Sequence, residues 1–155
     1  MAINRRFPMP FEVAFPTGLF VISEVEAVLD FDKSTKDRKV QQFDPETGHP
    51  LWQVTCLDPD PEAKKSQKTV TVKIAAKHQP VPPENKDGSP FTPVEFDGLM
   101  ALPWIEESGN FSKISWSFRA EEMRAPSAGK KAGSTGTSGS TTSAGSASGS
   151  SSAAA

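Results

Sequence analysis

Cysteine and histidine are scarce in this chain, and their scarcity removes whole classes of function. Cys56 is the only cysteine, and His49 and His78 are the only histidines. A single cysteine excludes an internal disulfide and a thiolate-rich zinc site. Its alternation with Trp52 and Val54 predicts a buried structural thiol. Because the two histidines are far apart and lack partners at ligand spacing, we expect no metal site and no cofactor.

Motifs that carry catalysis are missing as well. There is no G-x-S-x-G sequence, and no glycine pattern opens a strand-loop-helix unit that could hold a phosphate. Asp58, Asp60 and Glu62 alternate with prolines that stiffen the backbone, and the loop lacks the glycine and later glutamate of an EF-hand. This pattern favours an acidic turn over a cation site. We therefore expect a protein that is not an enzyme.

The chain also lacks a long hydrophobic run. The stretch before Pro16 contains two arginines and is interrupted by Pro8 and Pro10, so it offers no continuous apolar segment for a signal peptide. No other run is long enough to span a membrane. We expect a cytoplasmic protein with no membrane partner.

Large apolar residues disappear after Ala125. Residues 126–155 are almost entirely Gly, Ser, Thr and Ala, with two lysines, and such a segment cannot offset the entropy cost of ordering. The sequence thus predicts a β-rich globular domain over 1–125 and a disordered tail over 126–155. The domain holds all 19 acidic residues and 15 of the 17 basic ones, so any affinity for nucleic acid would need a local basic patch.

Within the domain, apolar residues recur with a period of two, which predicts strands. In the clearest run, Val70, Val72 and Ile74 point to one side, and the Thr and Lys residues between them point to the other. In the first run, Val21, Val25 and Leu29 would also suit a helix. The predicted strands are Gly18–Phe31, Leu51–Leu57, Lys68–Ala76, Pro93–Ile105 with a bend at Gly98, and Lys113–Ala120.

Turns rich in Pro, Gly, Asp and Asn separate these runs. One short helix is predicted at Asp60–Ser66, because Asp60 can cap it and Pro61 suits its first position. Five or six strands and one short helix predict an all-β domain, a small antiparallel barrel or sandwich. An OB-like partly open barrel fits this pattern, and so does a different β-barrel or sandwich.

Basic residues cluster in two places. Arg38 and Lys39 follow two other lysines, and a longer series surrounds the strand that contains Ile74. A sheet face that mixes Lys and Thr beside aromatics could follow a nucleic-acid backbone; a solvated face with edge-strand lysines is the competing interpretation. The longer series consists of Lys64, Lys65, Lys68, Lys73 and Lys77.

The tryptophans lie on apolar strand faces, where core packing is the usual outcome. Trp116 alternates with Ile114 and Phe118 in a run that predicts a central, buried strand. Trp104 follows Pro103 near a predicted strand end, so it is the tryptophan that we expect to be exposed and able to stack on a base.

Several phrases resemble a known family. They are FPTGLFVISEVEAVLDFD, TGHPLWQVTCLDPD, VTVKIAAKHQPVPP, PVEFDGLMALPWI and SWSFRAEEM, which together cover most of Phe15–Met123. These phrases resemble the plasmid replication, integration and excision activator (Pra-type) proteins of actinobacterial integrative and conjugative elements. The resemblance implies a non-catalytic activator of replication, and thereby of excision and integration. It supplies no catalytic or DNA-contact residues.

Three functions remain open. The chain could activate replication of a mobile element through DNA or replication proteins, bind single-stranded DNA as an OB-like accessory, or act as a protein-interaction module. No pair of amphipathic helices suggests a helix-turn-helix reader of duplex DNA. The acid-free tail counts against a housekeeping single-strand binder, since those typically end in an acidic tail. The oligomeric state does not follow from the sequence.

Overall fold

Nine β-strands and one short α-helix make up the part of the chain that this computed structural model describes, residues 6–127. The helix α1 spans Phe11–Ala14, and a single 3₁₀ turn spans Lys65–Gln67. The all-β prediction is confirmed. The strands are β1 Phe7–Pro8, β2 Leu19–Val21, β3 Glu26–Ala27, β4 Leu51–Leu57, β5 Thr69–Ala75, β6 Thr92–Asp97, β7 Met100–Ser108, β8 Phe111–Ala120 and β9 Glu122–Arg124.

The sheet curls so that the two strands at the ends of its central part, β6 and β7, are consecutive in the chain. Its hydrogen-bonded order is β1-β7-β8-β5-β4-β2-β6-β9, with β3 also paired to β4. Because β6 and β7 follow each other directly, one bent run stands at both ends of the order β7-β8-β5-β4-β2-β6. Neighbouring strands are antiparallel, except that β5 and β8 are parallel. The result is the barrel-like sheet that the strand pattern predicts.

Gly98 makes the bend between β6 and β7 possible. Its φ of 62° lies in the left-handed region, which glycine adopts at little cost. A Cβ at this position would also meet the side chain of Glu121 at 2.6 Å. The backbone amide of Glu121 donates to the carbonyl of Asp97 at 3.0 Å, which ties the corner to the strand end opposite. The bend predicted at Gly98 is confirmed, and it lets one run serve two edges of the sheet.

The hydrophobic core lies on the inner face of the curled sheet. Val54 of β4 and Val72 of β5 lie opposite each other in register, and both are buried together with Ile74, as predicted. Cys56 is fully buried in the same cluster. Burial raises the pKa of its thiol to about 12, so the thiol stays protonated and inert at neutral pH, as its sequence context predicts. The other core side chains include Phe15, Leu19, Val94, Phe96, Leu99 and Ala120.

The run predicted as one strand from Gly18 to Phe31 forms two short strands. β2 ends at Val21, and the hydroxyl of Ser23 then accepts a hydrogen bond from the Thr55 amide at 3.0 Å. The Ser23 hydroxyl thus replaces a backbone carbonyl as the acceptor for the Thr55 amide. After this point the alternation of buried and exposed side chains shifts by one residue. Val28 is buried, whereas Phe31 is 87% exposed. The prediction that Phe31 shares the buried face of this run is wrong.

The helix predicted at Asp60–Ser66 is replaced by turns. A carboxylate oxygen of Asp58 accepts from the Asp60 amide at 3.0 Å, and one of Asp60 accepts from the Glu62 amide at 2.9 Å. Such local side-chain bonds compete with the helical backbone bonds. Only the 3₁₀ turn follows, and the one short α-helix within residues 6–127 is α1. The acidic D-x-D-x-E stretch is therefore a pair of turns; the acidic turn was predicted, and the capped helix that was expected to follow it is wrong.

The described residues end at position 127. The last strand ends at Arg124, whose guanidinium binds Asp97 at 2.6 Å and Glu95 at 2.9 Å. Apart from its first two residues, the tail predicted over 126–155 lies outside the described residues. No helix in the described part of the chain is long and apolar enough to cross a membrane.

Candidate functional site

The five lysines of the longer series extend along β5 from one end to the other. Lys64 and Lys65 lie exposed in the turns before the strand, and Lys77 lies exposed beyond its end. Seven residues of strand separate these groups by roughly 20 Å. Lys68, at the start, and Lys73, within the strand, are half-buried. The structure thus brings these residues onto one strand without joining all five into a compact patch.

The second basic segment lies in the long loop between β3 and β4. Arg38 and Lys39 are both exposed there. The Thr35 amide donates to the Arg38 carbonyl at 2.8 Å, and the Arg38 amide donates to the Thr35 hydroxyl at 3.2 Å. This closed turn holds the Arg38 backbone while leaving its side chain in solvent.

That loop is held against the sheet by a buried ion pair. Asp44 is 1% exposed and binds the guanidinium of Arg119 on β8. It also accepts hydrogen bonds from the Thr47 hydroxyl at 2.7 Å and the Glu46 amide at 3.1 Å. The Arg119 guanidinium beside it holds the pKa of Asp44 far below its usual value of 3.8. Arg119 is consequently engaged as an anchor for the loop.

The solvent exposure of the three tryptophans agrees only in part with the prediction. Trp52 is half-buried and donates from its indole nitrogen to the Ala76 carbonyl at 3.0 Å. Trp104 and Trp116 are each 47% exposed. The expected exposure of Trp104 is confirmed, but the expected burial of Trp116 is wrong. Ile114, which was predicted to share a buried face with Trp116, is 67% exposed.

These side chains are exposed because the hairpin of β7 and β8 projects beyond the rest of the sheet. β8 pairs with β5 only at Phe118–Ala120, and β1 pairs with β7 only at Met100 and Ala101. Over Leu102–Ser117, the two strands pair only with each other among the described residues. We call this segment the ribbon. Because this segment extends beyond the curled core of the described part, Trp116 packs edge-to-face against Phe7 and keeps 47% of its surface exposed.

The two faces of the ribbon differ in chemistry. On one face, Pro103 lies opposite Trp116, and Ile105 lies opposite Ile114; we call these four residues the apolar face. Toward the hairpin turn, the polar pair Glu107 and Ser112 follows on the same side. It continues the inner, core-facing side of the sheet, because Ala101 and Phe118 are the next pair on that side.

The opposite face of the ribbon continues the outer side of the barrel, and we call it the outer face. Its cross-strand pairs are Leu102 with Ser117, Trp104 with Ser115, Glu106 with Lys113 and Ser108 with Phe111. Phe111, next to the hairpin turn, is 81% exposed. Trp104 and Phe111 therefore expose aromatic rings to solvent on this face.

Register connects this outer face to β5. Met100 pairs with Arg119, Arg119 with Lys73, and Lys73 with Gln53. Residues that pair in register share a face, and Trp104 lies on the same face as Met100 because their positions differ by an even number. Lys73 and Trp104 are therefore on one side of the sheet. No ion pair within residues 6–127 neutralises Lys73.

Glu106 is the acidic group on the outer face of the ribbon. The Ser115 hydroxyl donates to its carboxylate at 2.6 Å, and the Lys113 ammonium lies 3.3 Å away. The hydrogen bond from Ser115, followed by the contact with Lys113, lowers the pKa of Glu106. The carboxylate stays charged at neutral pH and balances Lys113, which leaves Trp104 and Phe111 as the side chains of the ribbon available for stacking.

The described residues contain few side-chain groups arranged for metal binding or for reaction chemistry. No cluster of three or more His, Cys, Asp or Glu side chains in this part of the chain could hold a metal ion. His49 is half-buried in the loop before β4, and His78 is exposed after β5. What the arrangement offers is a polar sheet face with basic and aromatic side chains.

Sequence reasoning missed Phe111, Lys113 and the apolar face. The Ser108-Gly109 turn signal between two alternating runs indicates a hairpin, and Gly109 has a φ of 60°. Nothing in that signal shows that the hairpin extends past its neighbouring strands.

No protein-family model, curated protein or solved structure matches this chain. The resemblance to the replication activators therefore stays a prediction, and the function of the chain has to be inferred from the geometry of its outer face.

Proposed function

We propose that this protein is a non-catalytic accessory that binds single-stranded nucleic acid on its outer face, in support of replication of a mobile element. The observation that carries the proposal is the shared face of Lys73 and Trp104, with the loop of Arg38 and Lys39 tied to the same side through Asp44. A cation contacts phosphates and an aromatic ring stacks on a base, which are the two interactions that single-strand binders combine.

The strand order supports an OB-like assignment. When β6 and β7 count as one bent strand, five strands remain, in the sequence β2, β4, β5, β6–β7 and β8. The first pairs with the second and fourth, and the third pairs in parallel with the fifth. OB-folds bind oligonucleotides on the face of strands two and three and with the loops between strands one and two and between four and five.

In this chain those three elements are the outer side of β4 and β5, the long loop before β4, and the ribbon. They contain Lys73, Arg38 with Lys39, and Trp104 respectively. Four of the eight residues proposed from the sequence therefore fall in the regions that OB-folds use. Lys64, Lys65, Lys68 and Lys77 lie at the two ends of β5, where they would extend the path of the phosphate backbone.

A single strand suits this surface better than a duplex does. The one α-helix in the described part has four residues, too short to read a major groove. Trp104 and Phe111 can stack only on bases that are unpaired. Because the domain carries a formal charge of −4, from 15 basic and 19 acidic residues, we expect modest affinity with a marked dependence on salt.

The role in replication derives from the resemblance to the activator family. Single strands are exposed while an element replicates by a rolling-circle route, and an OB-like accessory would act there. The same surface could contact replication proteins, in which case nucleic acid would not bind.

Fluorescence anisotropy tests the proposal. The full chain is titrated into a labelled oligothymidine of about 20 nucleotides and into a duplex of equal length, at about 50 mM and about 200 mM salt. We expect binding that prefers the single strand. Lys73→Ala should flatten the log–log salt dependence by about 0.7, because it removes one cation from a phosphate. Lys86→Ala, which removes the same charge from the exposed loop before β6, should leave the salt dependence unchanged.

Trp104 provides the second arm. Trp104→Ala should weaken binding about tenfold, and Trp104→Phe, which keeps a ring, should retain most of the affinity. Absence of single-strand binding at low salt would refute the proposal, and so would equal effects of Lys73→Ala and Lys86→Ala.

A further inference from the structure

We propose that the apolar face of the ribbon, formed by Pro103, Ile105, Ile114 and Trp116, docks onto the same face of a second copy of this chain in a two-fold symmetric dimer. This inference concerns the side of the ribbon opposite the outer face, so it does not depend on nucleic-acid binding.

The first support is the exposure of the face. Ile105 and Ile114 are each 67% exposed, and Trp116 is 47% exposed. Phe7, at 38% exposure, borders the face and contacts Trp116 edge-to-face with ring centroids 5.9 Å apart. Together these side chains leave about 400 Å² of apolar surface in solvent, as large as the largest patch of a typical monomer.

The second support is the continuity of this face with the core. The pair that follows Pro103 and Trp116 toward the barrel is Ala101 with Phe118, which packs into the sheet interior. The ribbon thus carries a core-type face past the point where β5 ends its pairing. A two-stranded ribbon is marginal in water until another element covers such a face.

A second copy fits the face for three reasons. The four residues carry no charge, and the one carboxylate on the same side of the ribbon, that of Glu107, lies beyond the Ile pair at the end of the face, so the carboxylates of two antiparallel copies do not meet. A two-fold axis between the Ile pair and the Trp–Pro pair sets the small aliphatic side chains of one copy against the indole of the other, which makes the contact self-complementary. In a standard interface each partner buries about 800 Å², and somewhat more than half of that area is apolar. The roughly 400 Å² of apolar surface on this face is close to that share.

Other occupants are less suited. Nucleic acid needs cations, and the one cation of the ribbon, Lys113, is on the outer face. The segment 126–155 contains no Val, Ile, Leu, Met, Phe or Trp, so it has no side chains with which to cover the face. In the proposed dimer, both outer faces stay open.

Sedimentation velocity of the full chain tests the dimer, at concentrations from about 1 μM to about 100 μM, which cover the weak end of the affinities of standard interfaces. We expect the wild type to shift from monomer to dimer with concentration. Ile114→Lys should weaken the association about 30-fold or more, as substitution of a central interface residue does. Phe111→Lys places the same charge on the outer face, at a more exposed position, and should leave the association unchanged.

The two exposed tryptophans give a matched pair. Trp116→Ala should weaken the dimer and Trp104→Ala should not, although both side chains are 47% exposed. Circular dichroism and thermal unfolding show whether each variant keeps its fold. If Ile114→Lys does not fold, Ile114→Cys takes its place: Cys56 is buried, so a short bifunctional maleimide should cross-link the new thiol into dimers, but not that of Phe111→Cys.

Two results would overturn the proposal. One is a wild type that remains monomeric throughout this range, whether the face is open or covered by the terminal segments of the same chain. The other is a dimer that dissociates equally with the apolar-face and outer-face variants, or in which both introduced thiols cross-link alike.

Discussion

Replacing Asp44 by Asn removes the charge that holds the long loop against β8. Asp44 is 1% exposed, and its partner Arg119 has a side chain that is 13% exposed. Asn has a single acceptor oxygen, which can still accept from the Glu46 amide in place of Oδ1, whereas its NH2 group in place of Oδ2 can donate to the Thr47 hydroxyl but cannot accept from the Thr47 amide. The substitution therefore removes the ion pair together with one hydrogen bond of the turn, that from the Thr47 amide.

The expected cost follows from what is left behind. Arg119 would remain a largely buried cation without its partner, and breaking a buried pair in this way costs about 3–5 kcal/mol. We therefore expect a loss of about 3–5 kcal/mol in the free energy of unfolding. That is a substantial part of the roughly 5–15 kcal/mol by which domains are typically stable.

Urea unfolding at pH 7, followed by circular dichroism, measures this loss. Asp97→Asn is the control, because Asp97 pairs with Arg124 at 2.6 Å in an exposed position, where the two side chains are 45% and 39% exposed. Exposed pairs contribute up to about 1 kcal/mol. Equal, small losses for the two variants would refute the view that Asp44 and Arg119 anchor the loop.

The pH dependence provides a second check on the same pair. The pKa of Asp44 is lowered in the folded state, mainly by the hydrogen bond from Arg119, relative to a usual value of 3.8. A lowered carboxylate pKa contributes stability above the unfolded-state value and loses it as the pH falls. The difference in unfolding free energy between wild type and Asp44→Asn should therefore shrink below about pH 4. A difference that stays constant down to strong acid would contradict this assignment.

Three further predictions follow from burial and composition. Ile74→Ala should cost about 2–5 kcal/mol in urea unfolding, whereas Trp116→Ala should cost clearly less because its side chain is 47% exposed; equal costs would show that the ribbon face is covered. Cys56 should react with a thiol reagent only after unfolding, because burial raises its pKa to about 12, and rapid labelling of the native protein would refute this. Removing 128–155 should leave the thermal midpoint nearly unchanged, because that segment has no large apolar side chain; a drop of many degrees would show that it packs on the domain.

Alternation in the sequence identified the central strands well. The predicted run Leu51–Leu57 coincides with β4, and β5 differs from its prediction by one residue at each end. Val72 and Ile74 are buried and Thr71 is exposed, as their alternation predicts. These features depend on neighbouring residues, because successive side chains of a strand point to opposite faces whatever lies across from them.

The candidate site was predictable only in part. The exposure of Trp104 and the outward position of Lys73 followed from local signals. Their common face did not, because it depends on the parallel pairing of β5 with β8, which joins segments far apart in the chain. The ion pair between Asp44 and Arg119 also joins residues far apart in the sequence, and no local sequence pattern predicts it.

By itself, then, the sequence determined where the central strands β4 and β5 run, where Gly98 bends the chain and which side chains of these strands share a face. The tertiary structure alone decided which faces are covered. Ile114, Trp116 and Phe118 alternate as a buried strand would, yet only Phe118 packs against the core. Burial requires a second surface packed against the first, and β8 joins the closed part of the sheet only at Phe118–Ala120, where it pairs with β5.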